Sequence, residues 1–212
     1  MHVKYELLQR GRWVEVDQAT WFKALKLADG VYCLAYSWLG KRIIWFSKRE
    51  AVVPIGKFSH VETVTGVGER PRTMSAGPGG LVPEHIDRYF SRRARKQYIE
   101  IVRPQVSDAT REQLVEAARD LSALDKGYSY GGIGAFISRV LQRALGMRPG
   151  RIKDKDFSAK HNICGESRVR ILRRGGGDVI PDGEVPDQVS PGEAYTYETL
   201  AGAQVVARAS VS

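Results

Sequence analysis

The residues of this chain whose types and settings suit chemistry are one cysteine and one histidine. Cys164 lies in the stretch HNICGES, directly ahead of a segment that predicts a helix. The positive end of a helix dipole favours a thiolate at such a position. His60 lies in the stretch FSHVE on a predicted strand, and its intrinsic pKa near neutrality suits a general base. Together the two residues predict a cysteine nucleophile that forms an acyl-enzyme.

Neighbouring titratable residues are secondary candidates. Alternation along the strand places Glu62 on the same face as His60, where its carboxylate can orient the imidazole. His161 lies shortly before the cysteine, and we interpret it as a loop residue. Cys33 lies in the apolar run GVYCLAY and is predicted to be a buried small hydrophobe.

The charge of the chain, +9 in total, is distributed unevenly around Cys164. Residues 139–174 carry eleven Lys and Arg against three acids, whereas residues 175–212 carry six acids and one base. One interpretation is a solvated basic face, which is the usual role of a charge run. The other is a positive field that lowers the thiol pKa and attracts an anionic substrate or polymer.

Several classes of protein are disfavoured by composition. Two cysteines cannot form a disulfide framework, and two cysteines with four scattered histidines lack metal-ligand spacing, so we expect neither a metal nor another cofactor. The first residues lack the apolar core of a signal peptide, and no apolar run approaches the length of a membrane span. We therefore expect a cytoplasmic protein, or one released by lysis or delivered by a phage.

The elements predicted around the candidate pair mix strands and helices. Strands are predicted over residues 12–16, 31–38, 42–46, 59–65, 73–76 and 97–102, with 195–199 and 204–208 closing a small sheet. Helices are predicted over 18–28 (capped by Asp17), 108–124, 133–145 and 164–174, with a loop over 66–83 and a helical turn over 83–90. This pattern predicts a single α+β domain over residues 1–212, with a basic mobile excursion at 147–160 and an acidic loop at 178–192.

Four short stretches resemble the NlpC-type papain-like cysteine peptidases and amidases in their circularly permuted (YiiX-like) order. SHV around His60 resembles the strand motif of the basic histidine, and CGE at Cys164 resembles the start of the nucleophile helix. GYSYGG, with Tyr130, resembles the segment that precedes the nucleophile, and VSPGE at 189–193 resembles a turn before a strand. The histidine precedes the cysteine, which fits the permuted order.

This resemblance implies a papain-like fold, a small antiparallel sheet packed against helices, and three further site residues. Tyr130 would support the oxyanion together with the backbone N–H of Cys164. Ser75, in the stretch MSA, stands where permuted relatives usually place a carboxylate that orients the histidine. Ser75 and Glu62 are therefore competing candidates for the third catalytic residue.

By the same resemblance, the expected activity is cleavage of an amide bond, with a peptidoglycan stem peptide as the leading substrate. A lipid amide or ester, or acyl transfer in place of hydrolysis, remains open within the same chemistry. The alternative from another class is a non-catalytic protein that binds nucleic acid or another polyanion. Its phosphate contacts would come from Arg92, Arg93, Arg95, Lys96, Arg168, Arg170, Arg173 and Arg174.

Overall fold

The computed structural model describes residues 2–35, 57–77, 80–91, 97–124, 164–179 and 189–212. Within these ranges the strands are Val3–Gln9 (β1), Arg12–Val16 (β2), Gly30–Ala35 (β3), His60–Gly66 (β4), Arg72–Gly77 (β5), Gly80–His85 (β6), Gln97–Arg103 (β7) and Gln204–Val211 (β8). The α-helices are Gln18–Lys23 (α1), Asp108–Leu124 (α2), Cys164–Arg174 (α3) and Pro191–Leu200 (α4), and a 3₁₀-helix covers Ile86–Phe90.

All of these strands belong to one open antiparallel sheet, in the order β2-β1-β8-β7-β3-β4-β5-β6. Strand β4, which begins at His60, pairs with β3 on one side and β5 on the other. The predicted α+β class is confirmed. The prediction of a small sheet is wrong, because the described residues alone contribute eight strands.

Each face of the sheet is covered by its own apolar cluster. On one face, helices α2, α3 and α4 pack through side chains that include Leu114, Leu172 and Ala194. On the other face, α1 and the 3₁₀-helix contribute Trp21 and Phe90, whose rings meet edge to face. Successive side chains of a strand point to opposite faces, so β4 reaches both layers.

The prediction of a strand over residues 195–199 is wrong, because these residues lie in helix α4. Ser190 caps this helix by accepting a hydrogen bond from the Glu193 N–H, and Glu193 accepts one from the Ser190 N–H in return. This capping box, with Pro191 in the first turn, starts a helix despite the aromatic and β-branched residues that follow. The stretch resembling a turn before a strand, and the end of the predicted acidic loop, are thus the start of α4.

Two more boundaries differ from the prediction. Residues 80–85 form strand β6, where a loop and the start of a helical turn were expected. Pro83 is tolerated because β6 is the edge strand, where a missing N–H interrupts no ladder. Helix α1 ends at Lys23 and does not continue to Ala28, whose positive φ of 65° lies outside the helical region.

The remaining predicted elements agree with the structure where it describes them. The strands at residues 12–16, 59–65, 73–76 and 97–102 and the helices at 108–124 and 164–174 are confirmed within one or two residues. The strand at 42–46, the helix at 133–145 and the excursion at 147–160 lie outside the described residues. In the part of the chain that the structure describes, none of the helices is long and apolar enough to cross a membrane.

Candidate active site

Helix α3 begins at Cys164, as the sequence predicts, and a close helix contact places its first turn. A Cβ atom at position 165 would lie 2.3 Å from the carbonyl oxygen of Val189, so only glycine fits there. This approach brings the segment before α4 against the start of α3. Cys164 is buried, at 6% exposed, and belongs to the apolar cluster that also contains Val169 and Leu172.

His60 is the first residue of β4, opposite Cys33 in the pairing with β3. The residue before it is fixed by a 3.0 Å hydrogen bond from the Ser59 N–H to the Cys33 carbonyl. The His60 side chain is 25% exposed, so the imidazole is neither free in solvent nor sealed in the core. The start of a strand thus holds this ring beside the start of α3.

The structure brings the side chains of His60 and Cys164 within reach of each other, so that charge and hydrogen bonding between them shift both pKa values. Burial raises the pKa of the Cys164 thiol, but the charge of His60 and backbone hydrogen bonds from Val61 and Gly165 outweigh it, and the pKa falls below its ordinary value. Burial lowers the pKa of His60, but the Cys164 thiolate and the Glu62 carboxylate outweigh it and raise that pKa to about 10. The two shifts favour a thiolate–imidazolium pair at neutral pH.

Both candidates for the third residue contact the same ring nitrogen. The Nε2 atom of His60 lies 2.9 Å from Glu62 Oε1 and 3.3 Å from Ser75 Oγ. Glu62 is two residues farther along the same strand face, so the alternation that suggested this carboxylate gives a direct contact. Because Nε2 faces these oxygens, Nδ1 is the ring nitrogen left for the thiol.

Glu62 is held by donors that sequence reasoning missed. Its side chain is fully buried and accepts hydrogen bonds from Arg88 Nη2, from the Tyr89 hydroxyl and, at 2.6 Å, from the Thr73 hydroxyl. Burial raises the pKa of Glu62, but the charges and hydrogen bonds of His60, Arg88 and Thr73 outweigh it and lower that pKa to about 2. The carboxylate therefore stays ionised and acts as an acceptor only.

Arg88 and Tyr89 gave no signal in the sequence. They lie on the 3₁₀-helix, and Glu62 lies on β4, so only the folded chain brings them together. Arg88 also donates to Ser75 Oγ at 3.0 Å, and its other terminal nitrogen lies 3.1 Å from Glu84 Oε2. One guanidinium thus contacts both oxygens that face His60 Nε2.

Three of the four basic residues of α3 are paired with acids, and only Arg174 among them is exposed. Arg168 is completely buried and makes two hydrogen bonds to the Glu198 carboxylate, at 2.8 and 2.6 Å. Its inclusion among phosphate-binding residues is therefore wrong, because no polymer can reach it. Arg170 pairs with Glu166 at 2.9 Å, and Arg173 pairs with Asp178 at 3.2 Å. Among the described residues, His60 and the backbone groups of Val61 and Gly165 lower the Cys164 pKa.

Other predicted residues are separate from the site or outside the described ranges. Cys33 is 2% exposed, and burial, with Glu62 nearby, raises its pKa to about 12, as suits a buried apolar residue. Tyr130, His161 and the cluster at 92–96 lie outside the described residues. In the ranges that the structure describes, no group of three or more His, Cys, Asp or Glu side chains is placed to hold a metal ion.

Comparisons with known proteins give little beyond this geometry. No family model matches the chain, and no curated protein matches it. A solved structure that is similar is the metalloprotein YiiX from Escherichia coli O157:H7, at 19% identity, over 80% of this chain and 91% of that one. The TM-score of this match is 0.42.

Proposed function

We propose that this protein is a cysteine hydrolase that cleaves an amide bond through an acyl-enzyme at Cys164. The observation that supports it is the hydrogen-bonded pair of Cys164 and His60, with the pKa of the thiol lowered and that of the imidazole raised. A structural cysteine in an apolar cluster shows the opposite shift, as Cys33 does. We also propose that the α+β fold of this chain is of the papain-like type.

In the acylation step, the Cys164 thiolate attacks the carbonyl carbon of the amide, and the C–S bond forms as the carbonyl π electrons move to oxygen. The backbone N–H of Cys164 stabilises the resulting oxyanion, because the first N–H groups of a helix have no acceptor within the helix. The resemblance assigns Tyr130 as the second donor. The imidazolium then gives its Nδ1 proton to the leaving nitrogen as the C–N bond breaks.

In the deacylation step, neutral His60 removes a proton from water through Nδ1, and the hydroxide adds to the thioester carbonyl. Collapse of this intermediate breaks the C–S bond and releases a carboxylic acid and the thiolate. Throughout, Nε2–H of His60 donates to ionised Glu62, which fixes the tautomer and stabilises the imidazolium. Glu62 fills the orienting role, and Ser75 shares the same ring nitrogen.

A peptidoglycan stem peptide is the proposed substrate. The resemblance to NlpC-type enzymes suggests it, and the net charge of +9 suits a substrate that carries carboxylates. Lipid amides and acyl transfer use the same two residues, so the test must compare acyl donors and acceptors. The described residues offer no specific observation in favour of polyanion binding.

The test is to trap the covalent intermediate. The purified protein is incubated with muropeptides, unrelated peptides and a lipid amide, quenched in acid and analysed by mass spectrometry for an acyl group on the peptide that contains Cys164. We expect an adduct and a free carboxylic acid product with muropeptides, in the wild-type protein and in Cys33→Ala. Cys164→Ala should form neither.

Other outcomes separate the alternatives. An adduct only with the lipid amide would replace the substrate but keep the chemistry, and a product carrying an added amine would indicate acyl transfer. Absence of an adduct and of product with every donor, in a folded protein, would contradict the proposed hydrolase.

A further inference from the structure

We propose that Arg88 is a positioning residue of the active site, which sustains the thiolate–imidazolium pair by holding Glu62 and Ser75 against His60 Nε2. This inference rests on the proposed function, because it concerns the reactivity of the same thiol. Arg88 does not touch the reacting atoms. It acts through the two oxygens that do contact the imidazole.

One terminal nitrogen of Arg88 contacts both of these oxygens. Its Nη2 atom donates to Glu62 Oε1 and, at 3.0 Å, to Ser75 Oγ. The same oxygens lie 2.9 and 3.3 Å from His60 Nε2. One nitrogen of a planar guanidinium therefore fixes the position of both groups that can orient the ring.

The charges along this path alternate in sign. They run from the Cys164 thiolate to the His60 imidazolium, the Glu62 carboxylate and the Arg88 guanidinium. With all four ionised, their sum is zero. With a neutral side chain at position 88, the three remaining groups carry a net charge of −1 beside the fully buried Glu62 carboxylate. Uptake of a proton removes this unfavourable charge. We expect the thiolate to accept it, because the Thr73 and Tyr89 hydroxyls still donate to Glu62 and favour its ionised form.

Arg88 is also partly exposed to solvent, so it is not part of the buried core. Its side chain is 31% exposed, and its remaining ion pair, with Glu84, involves a carboxylate that is 45% exposed. Loss of the guanidinium therefore leaves the apolar clusters intact. The neighbouring Tyr89 and Thr73 hydroxyls still contact Glu62, so the carboxylate stays in place while its neutralising partner is lost.

The experiment measures the rate of iodoacetamide alkylation at Cys164 between pH 4 and pH 10, read by mass spectrometry of the Cys164 peptide. Arg88→Gln keeps a hydrogen-bond donor but removes the charge, and Arg88→Lys keeps the charge. We expect Arg88→Gln to raise the pH midpoint by about one unit, which is a roughly tenfold loss of alkylation rate below the midpoint. Arg88→Lys should stay near the wild-type midpoint.

Arg70→Met is the matched control. Arg70 pairs with Asp87 on the same 3₁₀-helix and is 66% exposed, but it contacts neither oxygen beside His60. An unchanged midpoint in folded Arg88→Gln, or an equal shift in Arg70→Met, would overturn the assignment and leave the proposed hydrolase standing. A wild-type midpoint near the ordinary thiol pKa of about 8.5 would contradict both, because no ion pair would exist for Arg88 to sustain.

Discussion

Two buried glutamates, on opposite faces of the sheet, are held by similar partners but serve different ends. Glu62 and Glu198 each accept hydrogen bonds from an arginine and a tyrosine, namely Arg88 with Tyr89 and Arg168 with Tyr32. Both carboxylates are about 1% exposed. The similarity of the two clusters makes their differences informative.

The Glu198 cluster is closed. Arg168 donates hydrogen bonds to both carboxylate oxygens of Glu198, to the Ala28 carbonyl and to the Thr63 hydroxyl. These groups bind one another and do not face a reacting side chain. It ties helix α3, one turn after Cys164, to α4 and to β4. Because its charges are paired and fully buried, we assign it a structural role, namely fixing helix α3 on the sheet.

The Glu62 cluster is open at one end. Its carboxylate contacts a histidine that is 25% exposed, and that histidine contacts the thiol. An arginine–glutamate pair thus becomes part of a site when a titratable group with access to solvent completes it. Variants that remove one partner from each cluster test this distinction.

The largest effect is expected for Arg168→Met, on stability. Removing the guanidinium leaves Glu198 buried without its cation, which typically costs about 3–5 kcal/mol in the free energy of unfolding. Urea unfolding at pH 7 measures it. Arg173→Met is the control, since the pair of Arg173 with Asp178 is partly exposed and such pairs contribute about 0–1 kcal/mol. Equal losses in the two variants would refute a special role for the buried pair.

The second prediction concerns the pH dependence of stability. The pKa of Glu62 is lowered to about 2 from an ordinary 4.5, so its contribution is fully present above about pH 4.5 and is lost as the pH falls through 2. The maximum contribution is about 3 kcal/mol. The measurement is the free energy of unfolding in denaturant at pH 7 and at pH 3. Between these two pH values, the wild-type protein should lose more stability than Glu62→Gln. A parallel loss in both proteins would place the acid-sensitive group elsewhere.

The third prediction separates the clusters by reactivity. Glu62→Gln removes the charge that stabilises the imidazolium, so the alkylation midpoint of Cys164 should rise by about one to two pH units and amide hydrolysis should fall about 100-fold. Glu198→Gln should lower the melting temperature but leave that midpoint unchanged. A midpoint that moves equally in both variants would show that the clusters are not distinct.

The smallest effect is expected at the cap of the helix that carries Glu198. Ser190→Ala removes the acceptor for the Glu193 N–H and should cost about 1 kcal/mol in unfolding free energy. Thermal unfolding measures it, with Ser190→Asp as a variant that keeps an acceptor and should retain stability. No loss in Ser190→Ala would mean that the first turn of α4 is held by packing alone.

Local patterns predicted the parts of the site that lie on single elements. Alternation placed Glu62 on the face of His60, and the helix-forming run after Cys164 placed the thiol at a helix start. The same local reasoning failed at residues 195–199, where β-favouring side chains were outweighed by the capping box at Ser190. It failed again at Pro83, because a proline that argues against a central strand is acceptable at an edge.

The partners of the two glutamates were beyond sequence reasoning for a different reason. Arg88 meets Glu62, and Arg168 meets Glu198, through contacts between elements that are distant in the chain. The sequence alone does not distinguish an arginine that is buried against a carboxylate from one that is exposed to solvent. A charge excess in the sequence therefore suggests a basic surface around Cys164, although Arg168, four residues after it, is buried.

The proposed chemistry requires that His60 holds Cys164 as a thiolate. Its most direct test is the pH dependence of iodoacetamide alkylation in the wild-type protein and in His60→Ala. We predict a wild-type midpoint well below the free-thiol value of about 8.5, and a midpoint at or above that value in His60→Ala. Coincident curves for the two proteins, or a wild-type thiol that titrates like an ordinary cysteine, would contradict the account.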